Sequence, residues 1–328
     1  MRMNGGFNMK ELFGVPQIVD EARESAKKIA KPGARPGMNW ALTVLICLML
    51  NFIGMGFASA PTIGLIFINM FRKNSGMETL EVSGTIMSAL LHLFLIFTII
   101  IFCVYVKFIE KRKIRTLGFV KKGAAVNYLI GAVAGFAIFS LGVLFCVVTG
   151  AVKISSGSDY NIGIILLALV AWLVQGMSEE VVCRGFLMTS IARRYSLTLG
   201  VIINSVLFGL LHILNSNFSI LPCLNIILFG FFASLVFIKT GNIWMCGAIH
   251  ALWNFVQGNF FGIHVSGQKL QDSIFVCEFV PGKDLINGGN FGLEGGLAIS
   301  LVLFIGIMVM FFVPNRKKAE VADCGEQV

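Results

Sequence analysis

Charge is what this sequence has least of. Of 328 residues only 13% are Asp, Glu, Lys or Arg, 56% are hydrophobic, and the mean hydropathy is +0.84. A soluble domain carries about 25% charged residues. This chain cannot cover itself with charge, so it is expected to be an integral membrane protein whose function sits in or at the membrane. Acidic residues are the scarcest: from 161 to 271 there are only Glu179 and Glu180. Sustained alternation of polar and apolar positions is also missing, which favours helices over a barrel. No short apolar run precedes Arg35, so no cleaved signal peptide is expected. None of the eight cysteines forms C-x-x-C, and six lie in or beside apolar runs. They read as small buried hydrophobes rather than disulfides or metal ligands. The absence of an internal repeat leaves an inverted-repeat transporter without positive support.

What is present is a succession of apolar runs bounded by basic residues. Residues 1–38 form a polar N-terminal segment with Lys10, Arg23, Lys27, Lys28, Lys31 and Arg35; Leu12, Val15, Ile18 and Val19 space loosely like an amphipathic helix. Spans are expected at about 39–60, 85–106, 125–149, 161–175 continuing to Arg193-Arg194, 197–214, 220–238, 243–261 and 297–313, at roughly 20 residues per crossing. Pro61 kinks or ends the first of them. The organisation is then an N-terminal pair of helices over 39–114, a core over 115–262, a loop over 263–296, and a last helix with a charged tail over 297–328. The net charge of +9 is not a nucleic-acid signal, because Lys and Arg gather at the ends of apolar runs. The basic N-terminus, the 107–122 loop, Arg193-Arg194, Lys239 and Arg316-Lys317-Lys318 fall on one side of an eight-span arrangement. The positive-inside rule places that side, and both termini, in the cytoplasm. The expected fold is an all-α, polytopic, multi-pass protein of about eight transmembrane helices, in the plasma membrane.

Two carboxylates side by side at the edge of hydrocarbon cost roughly 2.5–3.5 kcal/mol each on insertion scales, so they need a reason. Glu180 and Arg184 are four apart and pair on one helix face. That leaves Glu179 without a sequence-local cation and marks it as functional. Asn204, Phe208 and His212 recur every four residues in the fifth span. His250 and Asn254 lie one turn apart in the seventh. A lone histidine in a span is more often a packing residue; His92 is read that way, and His264 as solvated. A glutamate pair, a histidine and a His/Asn pair on three helices of one apolar block are worth more together, because converging they satisfy one another and hold a water.

Cys183 sits between Glu180 and Arg184, where a neighbouring carboxylate opposes the thiolate, so nucleophilic catalysis is the weaker reading. A carboxylate with an imidazole can deprotonate water, and a histidine with an asparagine amide can donate to an oxyanion. Alternatively Glu179, His212 and His250 could ligate a divalent metal such as zinc, with a fourth position open to water, although His-Glu-x-x-His is absent.

Glu179-Glu180-x-x-x-Arg184, Phe208-x-x-x-His212 and His250-x-x-x-Asn254, in this order on separate apolar segments, resemble the motifs of the CPBP family. These are the CAAX-protease and bacteriocin-processing intramembrane proteases, also called the Abi family, which includes type II CAAX prenyl endopeptidases. The resemblance covers about 115–262. It implies that Glu179 activates water with His212 as its partner, that His250 and Asn254 stabilise the oxyanion, and that Glu180 and Arg184 support them. It implies an intramembrane endopeptidase, by a glutamate or a metalloprotease mechanism, acting on a membrane-bound peptide, lipidated or bacteriocin-related, with membrane lipid as its surroundings. A transporter with a Glu/His-lined pathway and a non-catalytic membrane immunity or binding protein are the alternatives.

Overall fold

The computed structural model describes residues 15–30, 37–157, 160–270 and 272–313. Leu12, Lys10, Lys31, Arg35 and the Arg316-Lys317-Lys318 tail lie outside them. Nearly all of the secondary structure is helical, as lipid requires where it offers no partner to backbone N–H and C=O. Among the described residues, five stretches are long and apolar enough to cross a membrane: Trp40–Asn74, Gly84–Ile109, Ala124–Val148, Ile162–Arg194 and Ile220–Thr240. The chain is an all-α, multi-pass membrane protein.

Helix α1 (Gln17–Ile29) buries Ile18, Val19, Ala22 and Ala26. The first crossing is broken where Pro61 stands: α2 (Trp40–Ala58) stops, Ser59 caps both pieces, and α3 (Ala60–Asn74) carries the proline in its first turn, where the missing N–H costs no bond. The second crossing is broken as well, between α4 (Gly84–Phe94) and α5 (Ile96–Val104), and it widens into a π-helix over Tyr105–Ile109. A single continuous helix was expected there. After α6 (Ala124–Val148), strand β1 (Val152–Ser156) leads to α7 (Ile162–Glu180), whose first turn is capped by the Asn161 side chain. α7 passes into a π-helix over Val181–Met188 and then α8 (Thr189–Arg194). There follow α9 (Leu197–Leu210), α10 (Ile220–Thr240), α11 (Trp244–Phe255) with a π-helix over Val256–Phe260, strand β2 (Phe275–Phe279), the short α12 (Asp284–Asn287) and α13 (Leu297–Phe312).

Three of the eight expected spans are shorter than a crossing. The fifth is helical only to Leu210, the seventh is α11 with its π-turn, and the eighth has 16 residues. The 263–296 stretch is more than a loop. β2 pairs antiparallel with β1, Val152 opposite Phe279 and Ser156 opposite Phe275, so the polar turn expected at 155–159 begins inside a strand.

α11 is held at the centre by glycines on its neighbours. A Cβ on Gly135 of α6 would lie 2.4 Å from the Ile249 carbonyl oxygen, and one on Gly176 of α7 would lie 2.6 Å from the Ala251 nitrogen. Both helices therefore meet α11 backbone to backbone, the packing that small residues permit in lipid. The basic end is closed by a buried charge cluster: Glu110 accepts from Arg193 at 2.6 Å and pairs with Arg112 at 3.1 Å, and Arg112 reaches the Thr189 hydroxyl at 3.3 Å. Burial pushes the Arg112 guanidinium down to about 10, with Glu110 offsetting part of the loss.

Candidate active site

The two adjacent carboxylates have opposite surroundings. Glu180 is fully buried. Its Oε1 accepts from Arg184 Nη1 at 2.8 Å and faces His250 Nδ1 at 2.9 Å. Arg184, equally buried, donates its other amino group to the Gly230 carbonyl at 3.0 Å and lays its guanidinium over the Phe208 ring. The Glu179 side chain is 31% exposed and faces a cavity of about 360 Å³. Its Oε1 accepts from Gln175 Nε2 at 2.7 Å, and its Oε2 lies 3.5 Å from His250 Nε2. The helical repeat separates them: neighbours on a helix point about 100° apart, and the tight α7–α11 contact at Gly176 brings both within reach of one imidazole.

His250 is thus bracketed. A carboxylate oxygen only accepts, so Nδ1 carries the proton toward Glu180 and Nε2 is turned to Glu179 and the cavity. Asn254, one turn on, donates Nδ2 to Gln175 Oε1 at 2.9 Å. Gln175 therefore joins Asn254 to Glu179, completing a run from Arg184 through Glu180, His250, Glu179 and Gln175 to Asn254.

His212 lies beyond the end of α9, in the turn that follows, and not on the helix face that the four-residue spacing implies. Its Nδ1 bonds the Phe208 carbonyl at 2.8 Å, satisfying an orphan carbonyl of the helix end and leaving Nε2 unprotonated in the neutral ring. It lines the same cavity as Glu179 and His250, but the imidazole in contact with Glu179 is that of His250. Asn204 turns away from the cavity, donating to Ser234 Oγ at 3.0 Å. Among the described residues no three His, Cys, Asp or Glu side chains form a metal-holding group. His250 Nδ1 and His212 Nδ1 are held by Glu180 and the Phe208 carbonyl, which leaves each Nε2 open to the cavity, as a metal-bound imidazole would also have it; the steps below are derived from the protein's own groups.

Residues beyond the motifs complete the cavity. Gln175 stands four before Glu179, a spacing visible in the sequence. Glu294 enters from the 263–296 segment, where no motif marks it. His92, read from sequence as a packing residue, also lines the cavity, its ring 4.4 Å from that of Trp172.

Residues 161–256 match the family model described as type II CAAX prenyl endopeptidase Rce1-like. No curated protein and no solved structure matches the chain. The matched stretch runs from the cap of α7 to the end of α11 and contains Glu179, Glu180, Arg184, His212, His250 and Asn254, while Glu294 lies outside it. Over residues 161–256, less than a third of its length, the chain is thus similar to type II CAAX prenyl endopeptidases of the Rce1-like kind.

Proposed function

We propose that the chain hydrolyses a peptide bond of a membrane-associated substrate, CAAX-type or bacteriocin-related, by a water activated at Glu179. The observation that carries this is the division between the two glutamates. Glu180 is sealed among Arg184, His250 and the protein interior, whereas Glu179 is turned to a cavity with one oxygen held by Gln175 and the other beside His250.

Glu179 takes a proton from water as it attacks the scissile carbonyl. His212 faces the same space with Nε2 available to accept or relay a proton. The developing oxyanion is met by Asn254, whose amide has a second N–H beyond the one held by Gln175. His250 joins it when its ring is doubly protonated, with Nδ1–H fixed on Glu180 and Nε2–H free to donate. Protonation of the leaving nitrogen returns the proton from the carboxyl group. Arg184 and Glu180 hold His250 in place and do not touch substrate. The protein sits in the plasma membrane with its basic end, and both termini, in the cytoplasm.

The test is cleavage of membrane-tethered reporter peptides by the purified protein in liposomes, with and without a chelator. Replacing a general base costs ~10²–10⁴-fold, and that loss is expected for Glu179→Gln, with a loss also for His212→Ala. Cleavage that survives Glu179→Gln sinks the assignment. Loss of wild-type cleavage on chelation would return the metal reading.

A further inference from the structure

Glu294 is a carboxylate at the cavity wall without a cation. It is nine-tenths buried and lines the cavity that holds Glu179. Its Oε1 accepts from the Trp253 indole N–H at 3.0 Å, and its Oε2 accepts from the backbone N–H of Ser266 at 2.9 Å and from the Ser266 hydroxyl at 2.7 Å. All three donors are neutral. Among the described residues no lysine, arginine or histidine pairs with it.

The position is built, not incidental. Asn225 Nδ2 donates to the Glu294 carbonyl at 2.7 Å and to the Gly296 carbonyl at 3.0 Å, and Ser300 donates to Asn225 Oδ1 at 2.6 Å. Gly292, at φ +99°, takes a conformation closed to other residues, and a Cβ there would meet the His264 carbonyl. The segment between α11 and α13 is folded so as to deliver this carboxylate to the cavity.

The wall connecting it to the reactive centre is short. Trp253 and His250 are three apart on α11, about 4.5 Å along the axis, and both rings pack on Phe229, at 5.2 and 5.0 Å between centroids. A peptide lying along this wall advances roughly 3.3–3.6 Å per residue. A peptide with its scissile bond at Glu179 would therefore carry a side chain a few residues away toward Glu294, which lies 3.0 Å beyond the Trp253 indole N–H. Three carboxylates, Glu179, Glu180 and Glu294, face or back the cavity, against the one guanidinium of Arg184. A buried charge with only neutral donors gains most from a partner of opposite sign.

We propose that Glu294 is a specificity-determining residue that takes the ammonium or guanidinium of a lysine or arginine side chain of the peptide substrate, a few residues from the scissile bond. This rests on the protease reading of the same cavity and adds the substrate class to it.

The test uses the full chain carrying Glu179→Gln, to prevent turnover, in detergent micelles. Acylated, fluorescent apolar peptides bear lysine, norleucine or glutamate at one position moved stepwise along the sequence, and anisotropy gives the affinities. Lysine is expected to bind about tenfold or more tighter than norleucine at one or two adjacent positions, and glutamate weaker than both. The lysine advantage is expected to fall to within about twofold when Glu294→Gln, which keeps the shape and an acceptor for Trp253, is added. The peptide order alone tests the idea should that variant fold poorly. Equal binding of lysine and norleucine at every position, or a lysine advantage undiminished in Glu294→Gln, overturns it. Cleavage of the norleucine peptides by the unsubstituted chain is followed in parallel. Cleavage without lysine selectivity removes the cation site and leaves the protease. Lysine-selective binding without cleavage removes the protease and leaves the cation site.

Discussion

Arg184 is completely buried among one carboxylate, one carbonyl and one aromatic face. Removing it leaves Glu180 with an uncompensated charge in the interior, a change that costs roughly 3–5 kcal/mol. Arg184→Met is therefore expected to lower the thermal unfolding midpoint in detergent strongly. Glu179→Gln, at a group about one-third exposed and facing the cavity, should change stability by only about 1 kcal/mol or less. Equal loss of stability in both would contradict the division between the neighbouring glutamates. Gln175 makes the complementary case. It orients Glu179 on one side and Asn254 on the other, so Gln175→Leu is expected to lower kcat by ~10–10²-fold with KM nearly unchanged. A loss expressed in KM alone would make it a substrate contact instead. The four-residue spacings of Glu180 with Arg184 and of His250 with Asn254 are legible in the sequence because a helix repeats them. Gln175 obeys the same spacing before Glu179, but a neutral amide at the end of an apolar run looks like the edge of a span. The contact between Glu179 and His250, and the arrival of Glu294 beside Trp253, join residues 71 and 41 positions apart, and no local pattern encodes them.

Elements meet in this protein where side chains are missing. At Gly176 a Cβ would stand 2.6 Å from the Ala251 backbone nitrogen, whereas at Gly56 it would meet nothing within 4 Å. Gly→Ala normally favours a helix by roughly 0.5–1 kcal/mol. Gly56→Ala should therefore be neutral or slightly stabilising. Gly176→Ala must push α7 off α11, at a cost of about 1–3 kcal/mol, and it carries Glu179 and Glu180 away from His250. Unfolding and cleavage measured together check this: Gly176→Ala should lose both, and Gly56→Ala neither. A Gly176→Ala protein with full activity would show that the helices yield there without moving the site. The apolar runs are legible as helices, and Pro61 as the break in the first, because each follows from local chemistry. The break at Leu95 carries no proline, and the pairing of Val152–Ser156 with Phe275–Phe279 depends on a partner over a hundred residues away. Neither has a local signal.

At the scale of the whole molecule, the number of crossings is the property least legible in the sequence, for a physical reason. α9 has 14 residues, about 21 Å at 1.5 Å each, short of a hydrocarbon core of roughly 30 Å. It can stop early because its end opens on a protein-lined cavity, where His212 takes the Phe208 carbonyl and the turn that follows is tied by Asn215 and Asn217 to the carbonyls of Ser266 and Asn290. An apolar run reports hydrophobicity and not whether its neighbour is lipid or protein, so buried half-crossings and true crossings read alike. The distribution of charge is less ambiguous. Glu110, Arg112 and Arg193 knit the basic end together, while the β1–β2 pair lies at the other end with Lys153 exposed. If the basic end faces the cytoplasm, a cysteine placed at exposed Lys113 should react with a membrane-impermeant maleimide only after intact cells are permeabilised. One placed at Lys153 should react at once, with the unsubstituted chain correcting for its own thiols. Labelling in the opposite order would invert the protein in its membrane. It would also move the mouth of the Glu179 cavity, and any substrate that reaches it, to the other face.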